Sequence, residues 1–237
     1  MLPALLGGAS SAEPRLSNWA IPAGGTRQSA DPAKPLMKAS WWDRTATSRD
    51  AQMKSRYYRL RSDLAPDETR ALGRHLDTMY GEYQRRLGAL DQRSPEVLDV
   101  LIFKSQQDYE KTLREQFGIN GQGSGGMFFT SPRGAALAFF VESLPRSRVL
   151  HVVQHEGFHQ YAYSRFGNDL PPWVNEGLAE FFGESVVIDD TVIIGQTSQR
   201  TLELLRKAID AQKQLHFRDI VTMDGERWAS RAITATC

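Results

Sequence analysis

The stretch HEGFHQY, residues 155–161, constrains this chain more than any other. On an α-helix, residues four apart differ by about 40° in direction and about 6 Å in rise, so they share a face. His155 and His159 can therefore aim both imidazoles at one ion, and imidazole nitrogen suits zinc at about 2.0–2.1 Å. Glu156 is turned by about 100° from His155, so it flanks that ion rather than binding it. There its carboxylate can take a proton from a zinc-bound water, whose pKa the metal lowers. A catalytic zinc needs a third protein ligand and one open position. The stretch WVNEGLAEFF, 173–182, supplies that ligand. Glu176 lies seventeen residues after His159, and Pro171-Pro172 between them can reverse the chain. Glu180, one turn further, can accept the remaining ring N–H of a ligand histidine and fix its tautomer. The expectation is one zinc per chain held by His155, His159 and Glu176, with Glu156 as the catalytic base.

HExxH followed by NExxxE resembles the gluzincin branch of zinc metallopeptidases, the thermolysin and aminopeptidase-N type. WVNEGLAEFF is especially similar to the W-L-N-E-G-F-A stretch of aminopeptidase-N-like enzymes. The layout from about Lys54 onward resembles bacterial peptidase MA-like domains that carry no assigned substrate. The resemblance implies a zincin-like α+β fold and a peptide or protein substrate. It implies zinc on His155, His159 and Glu176, Glu156 as general base, and Glu180 as support for the first histidine. It also implies a mixed sheet beside the HExxH helix, with an antiparallel edge strand that pairs with substrate backbone. Ala135–Val141 is the expected edge.

The chain departs from that pattern in three places. The GxMEN signature that would hold a free amino terminus is not found, so endo- and exo-cleavage both stay open. Family members stabilise the oxyanion with a Tyr or His downstream of the third ligand. Here no tyrosine follows Tyr163, and His216 is the one downstream histidine. The chain stops at WASRAITATC where the family continues with more helix, so a truncated domain is expected. These departures keep a second reading in play: a zinc-binding, catalytically inactive zincin-like domain used for protein interaction. A third is a metal-free helical domain with a coincidental motif.

Apolar residues make up 41% of the 237, enough for a core. The net charge is +1 with Lys and Arg scattered, which gives no support for binding nucleic acid or a membrane surface. The one cysteine, Cys237, allows neither an intrachain disulfide nor a cysteine-based zinc or Cys/His site. No apolar run approaches the roughly 18 residues needed to span a bilayer. MLPALLGGASSA, 1–12, reads as the end of a signal-peptide apolar region with a small-residue cleavage site, although a basic start is missing. Export to the periplasm or beyond is the expectation, with a cytoplasmic protein as the alternative.

Residues 13–53 are rich in Pro, Gly, Ser, Ala and Arg and read as a linker. The domain is expected over 54–237. Alternation over 55–64 predicts a strand with an Arg-rich solvated face. Three-and-four spacing predicts a helix from Asp67 to Gly88. A buried strand is expected over 97–103, a helix from Ser105 to Phe117, and a loop over the glycine-rich 118–126. MFFT (127–130) and Ala135–Val141 read as an antiparallel pair joined by a turn. Helices follow over 147–165 and 173–183, then a hairpin about Asp189-Asp190. A last helix over 197–215 should turn Leu202, Leu205 and Ile209 inward. Strands followed mostly by helices make an α+β layout. His151, Tyr161, Tyr163, Trp173, Phe181 and Phe182 read as packing residues, and His75 as a partly exposed helical one.

Overall fold

The fold is taken from a computed structural model that describes residues 51–90, 96–225 and 227–228. The expectations for 1–50, and for the chain after Trp228, lie outside the described residues. β1 (Ala51–Lys54) pairs antiparallel with β2 (Tyr58–Ser62). α1 (Pro66–Leu87) then crosses to β3 (Leu98–Phe103). α2 (Gln106–Thr112) starts where the Ser105 hydroxyl accepts the Asp108 N–H, and a π-helical turn ends it at Gly118, φ 71°. β4 (Gly126–Ser131) and β5 (Gly134–Phe140) form a hairpin. α3 (Arg146–Phe166) and α4 (Pro172–Gly183) follow. Next come β6 (Val186–Ile188), β7 (Thr191–Ile193), α5 (Gln199–Asp210) and α6 (Phe217–Val221). No helix among the described residues is long and apolar enough to cross a membrane.

The sheet runs β1-β2-β3-β5-β4. Its inner pairs, β2–β3 and β3–β5, are parallel, and its outer pairs are antiparallel. Period-two alternation splits its side chains into two layers. Val100, Ile102, Leu137 and Phe139 pack under α1 and α3. Leu101, Ala136, Ala138 and Phe140 pack against Tyr109 and Leu113 of the α2 segment on the other face. The result is a mixed five-stranded sheet between helices.

Three expectations change. Ala135–Val141 is not the edge strand: β5 bonds to both β3 and β4, and the edge is β4. The reason is burial on both faces, which an internal strand requires and AALAFF satisfies. The Arg-rich face of β2 is not solvated either. Arg61 is buried, and Arg59 clamps the buried Asp99 carboxylate through Nε and Nη2 at 2.6 and 2.7 Å. Covering a parallel strand on both sides forces its charges to find partners. Third, α5 is shorter than expected and buries none of its residues, with Leu205 52% and Ile209 49% exposed. The hairpin about Asp189-Asp190 does form. Both residues take positive φ, 46° and 64°, as a tight two-residue turn demands.

Gly126 sets how closely α3 can approach the sheet. A Cβ there would lie 2.6 Å from the Phe139 Cβ and 2.7 Å from a Val152 methyl. Gly126→Ala should therefore destabilise the fold by about 1–3 kcal/mol through overpacking. Gly81→Ala, inside α1 with nothing within 4 Å of the new Cβ, should instead stabilise by about 0.5–1 kcal/mol. Urea unfolding of the two variants beside the parent checks both signs.

Candidate metal centre

α3 carries HEGFHQY, and α4 carries Glu176 and Glu180. Pro171 and Pro172 occupy the cap and first position of α4, where a missing N–H costs nothing and φ is already helical. The two helices run antiparallel, so that His159 meets Glu176 while His155, one turn earlier, meets Glu180. Apolar contacts hold this register. The Phe158 and Phe182 rings stack at 5.3 Å, and Tyr83 of α1 stands edge-on to both.

All three predicted ligands converge. His155 Nε2 and His159 Nε2 lie 3.1 Å apart, and Glu176 Oε2 lies 3.7 and 3.6 Å from them. The carboxylate distances are too long for hydrogen bonds. They match the spacing of atoms that share a neighbour, since ligands about 2.0–2.1 Å from a tetrahedral ion sit roughly 3.3–3.4 Å apart. Two imidazoles and a carboxylate are also the donor set of an open zinc site. Three acceptors facing one point need a positive charge between them. Without a metal it must be a proton. Burial opposes a charged His159 ring, but Glu176, Glu156 and Asn175 outweigh it and raise the ring to about 9. Burial likewise opposes the Glu176 anion, and the two imidazoles overcome it and hold the carboxyl at about 2.

Glu156 stands beside the triad, not in it. It is only 3% exposed, and its Oε2 accepts the Phe128 N–H of edge strand β4 at 2.7 Å. Burial pushes its carboxyl above the ordinary carboxylate range. Glu176 adds to the rise, while the two histidines and the Phe128 N–H oppose it. Glu180 Oε1 lies 3.9 Å from His155 Nδ1, on the side away from Glu176. His216 caps α6 with its side chain exposed. Tyr163 packs against Phe128, ring centroids 5.4 Å apart, and Tyr161 is fully buried. Phe182 is buried, whereas Trp173 is half-buried and Phe181 37% exposed.

Sequence reasoning passed over Gln154. Its Nε2 donates to the carbonyls of Phe182, Gly183 and Ser185 at 2.9, 3.1 and 2.9 Å. That ties the residue before His155 to the far end of α4 and satisfies carbonyls that a helix leaves open. With the amide nitrogen committed, Oε1 accepts from His75 Nε2 at 3.1 Å, which places a ring proton on Nε2. The Tyr83 hydroxyl completes the clamp by donating to the Gln154 carbonyl at 2.7 Å. The one sequence signal for Gln154 was an amide directly before His155 of the HExxH stretch.

A family described as a protein of unknown function (DUF1570) has a model that matches residues 149–234, the stretch that holds the candidate triad His155, His159 and Glu176 together with Glu156 and Glu180. No curated protein matches the chain.

Gln154→Leu should cost about 2–4 kcal/mol, because it leaves buried carbonyls without a donor. It should also weaken metal binding by roughly 10- to 100-fold by loosening α4. Chemical unfolding and metal titration read the two effects. His75 gives the fold a pH dependence. Burial lowers its ring from the ordinary 6.5 to about 4, with Arg146 assisting and the Gln154 bond opposing. The unfolded chain therefore takes up the proton first as pH falls. Stability is full above about 6.5 and declines towards pH 4, by up to roughly 3 kcal/mol. His75→Gln keeps a donor for Gln154 and should flatten this decline. Urea midpoints compared near pH 7.5 and pH 4.5 test it.

Proposed function

We propose that this chain is a zinc-dependent peptide-bond hydrolase of the gluzincin type, with a zincin-like domain. One observation carries the reading: two imidazole nitrogens and a carboxylate oxygen meet within 3.1–3.7 Å, beside a buried carboxylate that binds none of them. A structural metal site has no use for that fourth group. His155, His159 and Glu176 would hold the ion, which would supply Lewis-acid activation of a peptide carbonyl and of water.

Glu156 does the proton work. Its Oε2 is anchored on the Phe128 N–H, which leaves Oε1 to receive the proton of the attacking water. Water adds to the peptide carbon, the C–N bond breaks, and the Glu156 proton goes to the departing amine. A carboxyl raised by burial is better matched to giving that proton back near neutral pH. The open side of β4 offers backbone N–H and C=O groups on which an extended peptide can add as a further strand. Because the same strand orients Glu156, substrate pairing and base position are mechanically joined.

The exposed His216 favours the rival reading, a zinc-binding domain without turnover that serves protein interaction. Two variants separate them. The purified protein should carry about one zinc per chain by plasma mass spectrometry. Glu176→Ala should lower affinity by more than the roughly 10- to 100-fold typical of losing an outer partner. Glu156→Gln should keep the zinc and lose roughly 100- to 10,000-fold in turnover of a quenched peptide library. A zinc-loaded parent that cleaves nothing would leave the interaction reading standing, and zinc indifferent to Glu176→Ala would remove both.

A further inference from the structure

The hydrogen bond that anchors Glu156 also fixes how the free edge of β4 can be read. In an antiparallel pair each residue turns both of its backbone groups to the partner strand or turns both away. Glu156 holds the Phe128 N–H, so Phe128 is a residue of the second kind. Gly126 and Thr130, two along on either side, are of that kind too, while Met127, Phe129 and Ser131 turn inward to Ala138, Ala136 and Gly134 of β5. The outward residues are not equally open. Gly126 is buried against Val152 of α3, whereas Thr130 is exposed, as are Pro132 and Arg133 of the turn that follows. With the Phe128 N–H taken, the groups left for a peptide are the Phe128 carbonyl and the N–H and carbonyl of Thr130. The side chains agree. A Cβ on Gly126 would meet Val152, so Gly126, Phe128 and Thr130 share the face of β4 that looks to α3. Tyr163 meets that face from the helix. It stands one turn after His159, rotated by about 40°, and a helical side chain leans back over the preceding turn, here towards His159. Its ring lies 5.4 Å from the Phe128 ring, and both residues are half-buried.

We infer that the chain grips its substrate on one side of the scissile bond only, through Thr130 of the edge strand and an aromatic wall of Phe128 and Tyr163, and that the substrate residue held there is aromatic or large and apolar. Glu156 marks the level of the scissile bond, and its contact is Phe128. From that level the strand is open towards Thr130 and closed towards Gly126. A peptide residue lying opposite Phe128 or Thr130 turns its side chain to the same face of the sheet, onto the two rings. Rings that are half in water gain most when another ring or a large apolar group covers them. Beyond Gly126 there is no free edge to pair with, so side chains on that side of the bond are tolerated broadly. This inference rests on the hydrolase reading and adds to it which side of the substrate is recognised, and by what.

A random peptide library cleaved by the zinc-loaded full chain, with cut sites read by mass spectrometry, tests this. Aromatic or large apolar residues should be enriched on one side of the cut, with no enrichment on the other. Tyr163→Ala should flatten that preference and lower kcat/KM for the preferred peptides roughly 10- to 100-fold. Tyr163→Phe keeps the ring and should keep the preference. Thr130→Pro deletes an N–H that faces away from β5, so the hairpin survives. It should raise KM roughly 2- to 10-fold, the effect of losing one hydrogen bond, and leave kcat and zinc content as in the parent. Enrichment on both sides or on neither overturns the inference. So does a preference that Tyr163→Ala does not move, or an unchanged KM in Thr130→Pro. Capture of the same library on the zinc-loaded Glu156→Gln protein separates this inference from the hydrolase reading. Aromatic peptides captured there and lost on adding Tyr163→Ala, with no cleavage by the parent, would keep the groove and reject the hydrolase. Capture without that preference would overturn the groove.

Discussion

α3 is buried along most of its length while carrying polar and charged side chains, and each of these must find a partner inside. Gln154, His155, Glu156, Gln160 and Arg165 are all at most 4% exposed. An unpaired polar group at such depth costs a large part of a domain's net stability. The helix is therefore located by its polar bonds as much as by its apolar contacts. Gln154 fixes α4 and His75, Glu156 fixes β4, the Gln160 amide donates to the Asp99 carbonyl at 2.8 Å, and Arg165 reaches the Tyr80 hydroxyl at 3.2 Å. Together these bonds hold α3 against α1, α4 and the sheet at one register, leaving His155 and His159 turned to the seam.

That placement uses few parts. The edge strand β4 also holds the Glu156 carboxylate, and the helix that carries Glu176 is tied down at its far end by Gln154, the residue next to His155. The electrostatics follow the same geometry. Three acceptors converge where burial weakens screening, so the site attracts one positive charge strongly.

Much of this was legible in the residues. HExxH and NExxxE specify the side chains on each helix, and Pro171-Pro172 marks the reversal between them. Ser105, Gly118 and Asp189-Asp190 mark a start, a stop and a turn through local backbone preferences that neighbours do not override. The misreadings share a cause. Whether β5 is an edge, whether Arg61 meets water, and whether Leu205 and Ile209 face inward all depend on what lies across from them. Period alone does not carry that information, because an alternating strand looks the same at an edge and in the middle of a sheet.

The sequence by itself determined which groups could meet: helical spacing places His155 with His159 on one face and turns Glu156 aside, whatever surrounds them. Tertiary structure alone decided that they do meet. It set α4 antiparallel to α3, made β4 the edge whose Phe128 N–H takes Glu156, and gave Gln154 and His75 their joint task. Spacing along a helix is fixed by local covalent geometry. The meeting of two helices and a strand edge is decided by packing and by the pairing of buried polar groups such as Gln154 and Glu156.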